Sequence, residues 1–207
     1  KTRLPEYIGA SPFEIQVLTP MRKGELGVEH LNEVLQYYLN PASESKKEKE
    51  GRTGVFREGD KVMQVKNNYK LEWKITNAKG FSIEEGLGVF NGDMGIIKQI
   101  NTYSERITVV FDENREAEYP FSSLDELELA YAITIHKSQG SEYPAVVLPL
   151  LSGPPILCNR NLLYTAITRA QKCVAIAGRQ SMVEQMIHNE TEQKRYSGLN
   201  DCLKEGL

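Results

Sequence analysis

Tyr131-Ala132-Ile133-Thr134-Ile135-His136-Lys137-Ser138-Gln139-Gly140-Ser141-Glu142 leads almost directly into the apolar run Ala145-Val146-Val147-Leu148. The first four apolar positions read as a strand. The apolar run reads as a second strand, and its near-continuous hydrophobicity is that of a parallel sheet covered on both faces. A polar loop between two such strands lies where α/β sheets bind ligands. Gly140 allows backbone N–H groups to approach a phosphate closely. Thr134, His136 and Ser138 can donate to phosphate oxygens, and Glu142 can accept from a sugar hydroxyl. Residue types alone leave a second reading open, a polar surface loop without a ligand.

Outward from this segment the same grammar continues. Leu162, Leu163, Ala166, Ile167 and Ala170 form a helical stripe, with Arg169 at its end and a buried strand expected over Cys173–Gly178. A guanidinium held there suits a phosphoryl group, although an arginine in a last helical turn also complements the helix dipole. Met182, Val183, Met186 and Ile187 predict a final amphipathic helix with the methionines in the core. Near the start, residues 13–20 read as a short buried strand ended by Pro20. A loop with Gly24 and Gly27 follows, then a helix through Val28, Leu31, Leu35, Tyr38 and Leu39, stopped by Asn40-Pro41. Tyr38 is expected to be buried.

The middle of the chain has a different period. Ser43 to Gly51 is a charge run without an apolar anchor and reads as a solvated linker. From residue 55 short strands alternate with turn signals: Gly59-Asp60, Asn91-Gly92-Asp93, and Asp112-Glu113-Asn114 as a hairpin turn. The expected fold class is α/β, a RecA-like parallel-sheet domain split by an inserted small β-barrel. Residues 1–50 and 125–207 are assigned to the first and residues 55–124 to the second.

The 207 residues are 40% hydrophobic and 26% charged, an ordinary globular composition, and no run approaches the roughly 20 apolar residues of a membrane helix. A net charge of −3 gives no support to a globally basic nucleic-acid binder but leaves a local basic groove open. Cys158, Cys173 and Cys202 are odd in number and form no C-x-x-C pair, so they read as reduced thiols of a cytoplasmic protein, with no metal site expected. The start at Lys1, without Met or an apolar leader, reads as a piece of a longer chain.

The loop after Tyr131, with the stretch Leu162-Leu163-Tyr164-Thr165-Ala166-Ile167-Thr168-Arg169-Ala170, resembles motifs V and VI of superfamily 1 DNA helicases. The nearest likeness is to the RecD-like 5′→3′ branch, of the exodeoxyribonuclease V alpha-chain type. Val17 to Pro41 resembles motif IV and its following helix. Gly59 to Tyr69 and Val89 to Ile97 resemble the SH3-like barrel that this group inserts into its second motor domain. The likeness spans about residues 13–178. It departs from the pattern between Tyr69 and Phe90, where an insertion carrying Trp73, Phe81, Gly80, Gly86 and Gly88 is expected to extend a hairpin.

The resemblance implies a motor of two RecA-like domains with ATP and Mg²⁺ bound mainly by a first, N-terminal domain, of which this chain is the second. No G-x-x-x-x-G-K-[ST] loop is present, which agrees with that division and implies that the chain alone does not hydrolyse ATP. By position, Arg169 matches the arginine that stabilises γ-phosphate charge. Gly140, Gln139 and Glu142 match the nucleotide side of motif V. Thr134, His136 and Ser138 match its DNA side. Arg22 or Lys23 matches the basic residue that motif IV offers to ATP. Asn67, Asn68 and Tyr69 match a polar-aromatic loop near single-stranded DNA, where Tyr69 can stack on a base. Implied partners are single-stranded DNA, the N-terminal motor domain of the same chain, and a nuclease–helicase complex if the parent does not work alone. The implied processes are DNA repair and recombination. Two rivals are a non-enzymatic single-stranded nucleic-acid-binding module and a degenerate subunit that contacts protein only.

Overall fold

The alternation of buried and half-buried residues in Ile15–Thr19 (β1) places this strand inside a four-stranded parallel sheet. A computed structural model describes residues 3–52, 54–77 and 81–190. Cys202, Gly80 and the polar tail after Glu190 lie outside the described residues. A short helix, Arg3–Ile8 (α1), precedes β1, and Val28–Leu39 (α2) follows it. Then come Glu48–Gly51 (β2), Gly54–Arg57 (β3), Lys61–Gln64 (β4), Asn68–Thr76 (β5), Ser82–Val89 (β6), Met94–Asn101 (β7), Arg106–Phe111 (β8), Glu116–Pro120 (β9) and Leu127–Leu129 (β10). Ala132–Thr134 (β11), Tyr143–Leu150 (β12), Arg160–Ile167 (α3), Ala170–Gly178 (β13) and Gln180–His188 (α4) complete the chain.

The parallel sheet has the order β11-β1-β12-β13. Strands separated in sequence by the whole middle of the chain are therefore neighbours: Val17 pairs with Ala132 and Thr19 with Thr134. On the other side of β1, Ile15 pairs with Ala145. Residues 135–142 thus cross over β1, from the carboxyl end of β11 back to the amino end of β12. Most βαβ crossovers need a dozen residues or more. Here one 3-10 turn, Ile135–Ser138, and the left-handed Gly140 (φ +88°) make the return.

The seven-stranded sheet, β10-β4-β7-β8-β9-β5-β6, is antiparallel throughout and corresponds to the expected SH3-like insertion. Asp112–Asn114 makes the tight turn between β8 and β9, with Glu113 and Asn114 in the left-handed region. The insertion after Tyr69 is the β5–β6 hairpin, with Trp73 paired opposite Gly86. A Cβ on Gly86 would stand 2.3 Å from the indole, so the ring takes the glycine's space.

Three expectations are corrected. The charge run before residue 52 is not a linker: Lys49 pairs with Phe56 and Glu48 with Arg57 in the β2–β3 hairpin, and Phe56 is buried in the core of the curled sheet. The pattern had no apolar anchor because the anchor sits on the partner strand. Tyr38 is 62% exposed, stacked edge-on against Tyr37. The face that α2 buries is instead Val28, Asn32 and Gln36. β13 is an edge strand and mostly half-exposed or exposed rather than buried.

The polar face of α2 explains how the two sheets are joined. Asn32 donates to the carbonyls of Leu129 and Ala132 and accepts from Ala132 N–H, filling the bend between β10 and β11. Asp60 has no exposed surface and accepts from Gln36 (2.6 Å), Asn40 (2.7 Å), Tyr131 (2.8 Å) and the Arg57 N–H (2.6 Å). Burial pushes the Asp60 carboxyl up, and these donors offset only part of that rise. Its neighbour Lys61 points the other way. The Lys61 ammonium donates to Phe13 O and Gln16 Oε1, and burial pulls its pKa down to about 8. The Asp60-Lys61 dipeptide that opens β4 thus ties the curled sheet to α2 through Asp60 and to β1 through Lys61.

Candidate nucleotide and nucleic-acid interface

The register of the parallel sheet sorts the candidate residues into two groups. At the amino ends of the strands, Tyr143 pairs with Ala170, and Tyr143 N–H donates to Arg169 O at 2.8 Å. This brings Ser141 and Glu142 beside Arg169. Arg169 follows α3, whose start is capped by Asn159 accepting from Leu162 N–H. Its half-buried guanidinium donates to Thr165 O (3.3 Å), Ser141 O (3.3 Å) and Thr168 Oγ1 (3.2 Å). All three acceptors are neutral and the contacts long, and Arg169 forms no ion pair among the described residues. Arginine wants a bidentate anion, and this one is held in place without having one. Gln139 and Gly140 are exposed, with open space where a Gly140 Cβ would be. Glu142 is exposed and accepts from Gln171 at 3.2 Å.

At the carboxyl ends the arrangement differs. Thr134 caps the 3-10 turn by accepting from Lys137 N–H, and His136 is exposed on that turn. Ser138 is fully buried and its hydroxyl donates to Ile135 O at 2.7 Å. It shapes the turn and has no surface for a ligand, which corrects its assignment as a DNA contact. The loop after β1 carries Arg22 and Lys23 and packs tightly: a Cβ on Gly27 would stand 2.5 Å from the Lys23 carbonyl carbon. Arg22 reaches Glu128 (2.6 Å) and Glu29 (3.5 Å), whereas Lys23 is exposed and forms no ion pair among the described residues. The other oxygen of Glu128 takes Lys137 at 3.0 Å. Arg22 and Lys23 therefore lie at the opposite strand ends from Arg169, Ser141 and Glu142. They do not join the group in which the resemblance places them.

The third group belongs to the curled sheet. Tyr69 is 68% exposed and meets Phe90 edge-on, with ring centroids 5.6 Å apart. Asn67 donates to the Tyr69 hydroxyl at 3.3 Å and accepts from Asn91 N–H at 2.9 Å. Asn68 donates to Glu126 and accepts from Lys70 N–H, so its amide is committed to the loop. Glu126, just before β10, and Glu128, within it, are both half-buried and bind the Asn68 loop and the Lys137 turn respectively. Residue-by-residue reading missed Glu128, Lys137 and Phe90. Nothing near Glu128 in sequence marks it, because its arginine partner is 106 positions away.

The described residues contain no group of three or more His, Cys, Asp or Glu placed to hold a metal, and no helix among them is long and apolar enough to cross a membrane.

A split parallel sheet carrying an antiparallel SH3-like insertion, with this distribution of polar loops, defines the second motor domain of a superfamily 1 helicase. Residues 31–111 match the family described as the ATP-dependent RecD-like DNA helicase SH3 domain, and residues 129–177 match the UvrD-like helicase C-terminal domain. The chain belongs to the RecD-like helicase family. It is similar to the ATP-dependent RecD2 DNA helicase of Deinococcus radiodurans, 39% identical over 167 residues that span 81% of this chain and 20% of that protein. It is also similar to the RecBCD enzyme subunit RecD of Mycolicibacterium smegmatis, 30% identical over 191 residues, 92% of this chain and 29% of the subunit. The chain thus spans less than a third of these curated relatives. The Pif1 helicase from Bacteroides, solved in complex with ADP-AlF3 and ssDNA, shares the fold. Its TM-score is 0.50 at 20% identity, over 91% of this chain and 44% of that one.

Proposed function

We propose that this chain is one jaw of an ATP-dependent 5′→3′ DNA helicase, residues 1–50 and 125–207 forming the motor jaw and residues 55–124 the appended grip. The observation that carries the reading is the state of Arg169. Its guanidinium is steered by three weak contacts to neutral oxygens and has no carboxylate to neutralise it among the described residues. Such a group fits a phosphoryl oxygen arriving from outside the chain. Gln139, Gly140 and Glu142 lie on the same edge and would meet the rest of the nucleotide.

When bound between two jaws, ATP with Mg²⁺ supplies the phosphoryl transfer that drives motion. In this reading Mg²⁺ and the phosphate loop belong to the opposite, N-terminal jaw. This chain's own part is to present Arg169 rigidly, to carry the crossover from the nucleotide edge to the His136 turn, and to hold single-stranded DNA there. The exposed Tyr69–Phe90 pair offers a stacking surface on the grip. Several of the relatives bear the name RecBCD enzyme subunit RecD, and assembly with a nuclease is part of the same proposal, as are a cytoplasmic location and roles in repair and recombination.

The test is Arg169→Ala in the protein that also carries the phosphate loop. DNA-stimulated ATP hydrolysis should fall by about 10³-fold or more, the size typical of an arginine placed on a transferring phosphoryl, while single-strand affinity stays within about twofold. Unchanged hydrolysis would remove Arg169 from the site. The chain alone should show no ATPase above blank.

A further inference from the structure

The contacts around Glu128 go beyond that reading. Its carboxylate is four-fifths buried, at 18% side-chain exposure, and each of its oxygens holds a different cation: Oε1 takes Arg22 at 2.6 Å and Oε2 takes Lys137 at 3.0 Å. Arg22 comes from the loop after β1 and Lys137 from the turn after β11, the two adjacent carboxyl ends of the parallel sheet. Both cations remain reachable, at 49% and 29% side-chain exposure. Lys23 and His136 are exposed on the same two segments. Two positive side chains converging on two oxygens of one anion is the arrangement by which proteins hold a phosphate. The anion here is supplied by β10 of the curled sheet.

We propose that Arg22 and Lys137 form a nucleic-acid phosphate site at the carboxyl edge of the parallel sheet, and that Glu128 stands in that site as a built-in competitor until a backbone phosphate displaces it. The proposal rests on the single-strand-binding reading above and assigns to it two contacts, with Arg22 moved from nucleotide to strand. Arg22 is also touched by Glu29 at 3.5 Å, and this second carboxylate remains to steady it when Glu128 lets go. A shared carboxylate makes a two-state element: paired with both cations without a strand, relieved of them with one. Because Glu126, which binds Asn68, stands two residues before Glu128, the exchange happens close in sequence to the contact that holds the loop carrying Tyr69.

The experiment is a titration of the 207-residue chain against fluorescein-labelled oligo-dT over a series of salt concentrations, by fluorescence anisotropy. Glu128→Gln keeps the shape of the side chain and removes its charge. It should tighten binding about three- to tenfold at low salt. It should also steepen the log K against log salt slope by roughly 0.7–1.4, the increment for one or two freed phosphate contacts on a single strand. Arg22→Gln and Lys137→Gln should each weaken binding, and Glu128→Gln should gain nothing in the doubly substituted background. A stable fold that binds oligo-dT as the parent does, or more weakly, with Glu128→Gln overturns the proposal and leaves the single-strand reading standing. Failure of both proteins to bind oligo-dT overturns that reading and this proposal together. A gain confined to ADP or inorganic phosphate, measured by calorimetry, overturns the backbone assignment and returns Arg22 to the nucleotide.

Discussion

Arg22 and Arg169 make the instructive comparison. Both are arginines next to the ends of strands in one parallel sheet; Arg169 matches a motif position that the helicase resemblance assigns to a nucleotide, and Arg22 is one of two residues that match another. They differ in what they are given to hold. Arg22 has two carboxylates within 3.5 Å, and hydrogen bonding to Glu128 raises its pKa further. Arg169 has three neutral oxygens, the nearest at 3.2 Å. An anion arriving at Arg169 displaces little, whereas one arriving at Arg22 must outbid Glu128 and Glu29. The position of a cation in a motif says what it can bind; its counter-ions decide the cost of binding.

The largest expected effect tests that asymmetry directly. In the phosphate-loop-bearing protein, Arg169→Ala should lower kcat for DNA-stimulated hydrolysis by about 10³-fold, and Arg22→Ala should lower it by less than about tenfold, measured as phosphate release at saturating oligo-dT. Equal losses would mean that the two arginines serve one nucleotide despite lying at opposite strand ends. The comparison would then fail.

The next effect concerns Lys61, which anchors the curled sheet beneath the Arg169 edge. Burial lowers its pKa from the ordinary 10.5 to about 8. A lysine depressed in the folded state is bound by more protons unfolded than folded between those two values, so its contribution makes unfolding free energy rise with pH from about 8 to 10.5. The full rise is on the order of 3–4 kcal/mol from the size of the shift. Urea denaturation at pH 7.5, 9 and 10 should show this rise in the parent chain and a flatter profile in Lys61→Met. Parallel profiles would mean that Lys61 is not desolvated at the seam.

How much of this was legible in the sequence depends on the range of the interaction involved. The α/β grammar, the tight turn at Asp112–Asn114 and the strand–loop–strand around Gly140 rest on neighbours in sequence, and the structure carries each of them. The polar buried face of α2 and the Arg22–Glu128 pair rest on partners 97 and 106 positions away, for which local periodicity carries no signal, and the β2–β3 hairpin takes its apolar anchor, Phe56, from the neighbouring strand. Ser138 illustrates the same limit at short range. Its type permits a phosphate contact, but the turn consumes its hydroxyl. Asn32 and Gln36 broke the apolar stripe of α2 because they satisfy the backbone where β10 bends into β11 and the side chain of Asp60.

A smaller effect sharpens the comparison by giving Arg169 what Arg22 already has. Thr165 lies four residues before Arg169 and its carbonyl already accepts from the guanidinium. Thr165→Glu places a carboxylate at the favourable spacing N-terminal to the arginine. It should cost about tenfold in DNA-stimulated kcat, and the loss should shrink at high salt as the new pair is screened. A loss indifferent to salt would point to displacement of α3 instead of competition for Arg169.

The smallest effect lies between the Lys61 anchor and Arg169. Tyr143 is buried with its hydroxyl unpartnered among the described residues. Burial pushes its pKa up, against smaller lowering by the Ser141 side chain, which stands near without hydrogen-bond geometry, and by Arg169. An orphaned buried hydroxyl is destabilising, so its removal without a change of shape should be neutral or favourable. Tyr143→Phe should therefore unfold in urea at the same midpoint or a higher one, a gain of up to about 1 kcal/mol. The Arg22 edge offers no such gain, since Glu128 there satisfies both cations, and Glu128→Gln should lower the midpoint slightly. A loss of stability on Tyr143→Phe would mean that the hydroxyl has found a partner, and that the Arg169 edge is as fully satisfied as its opposite.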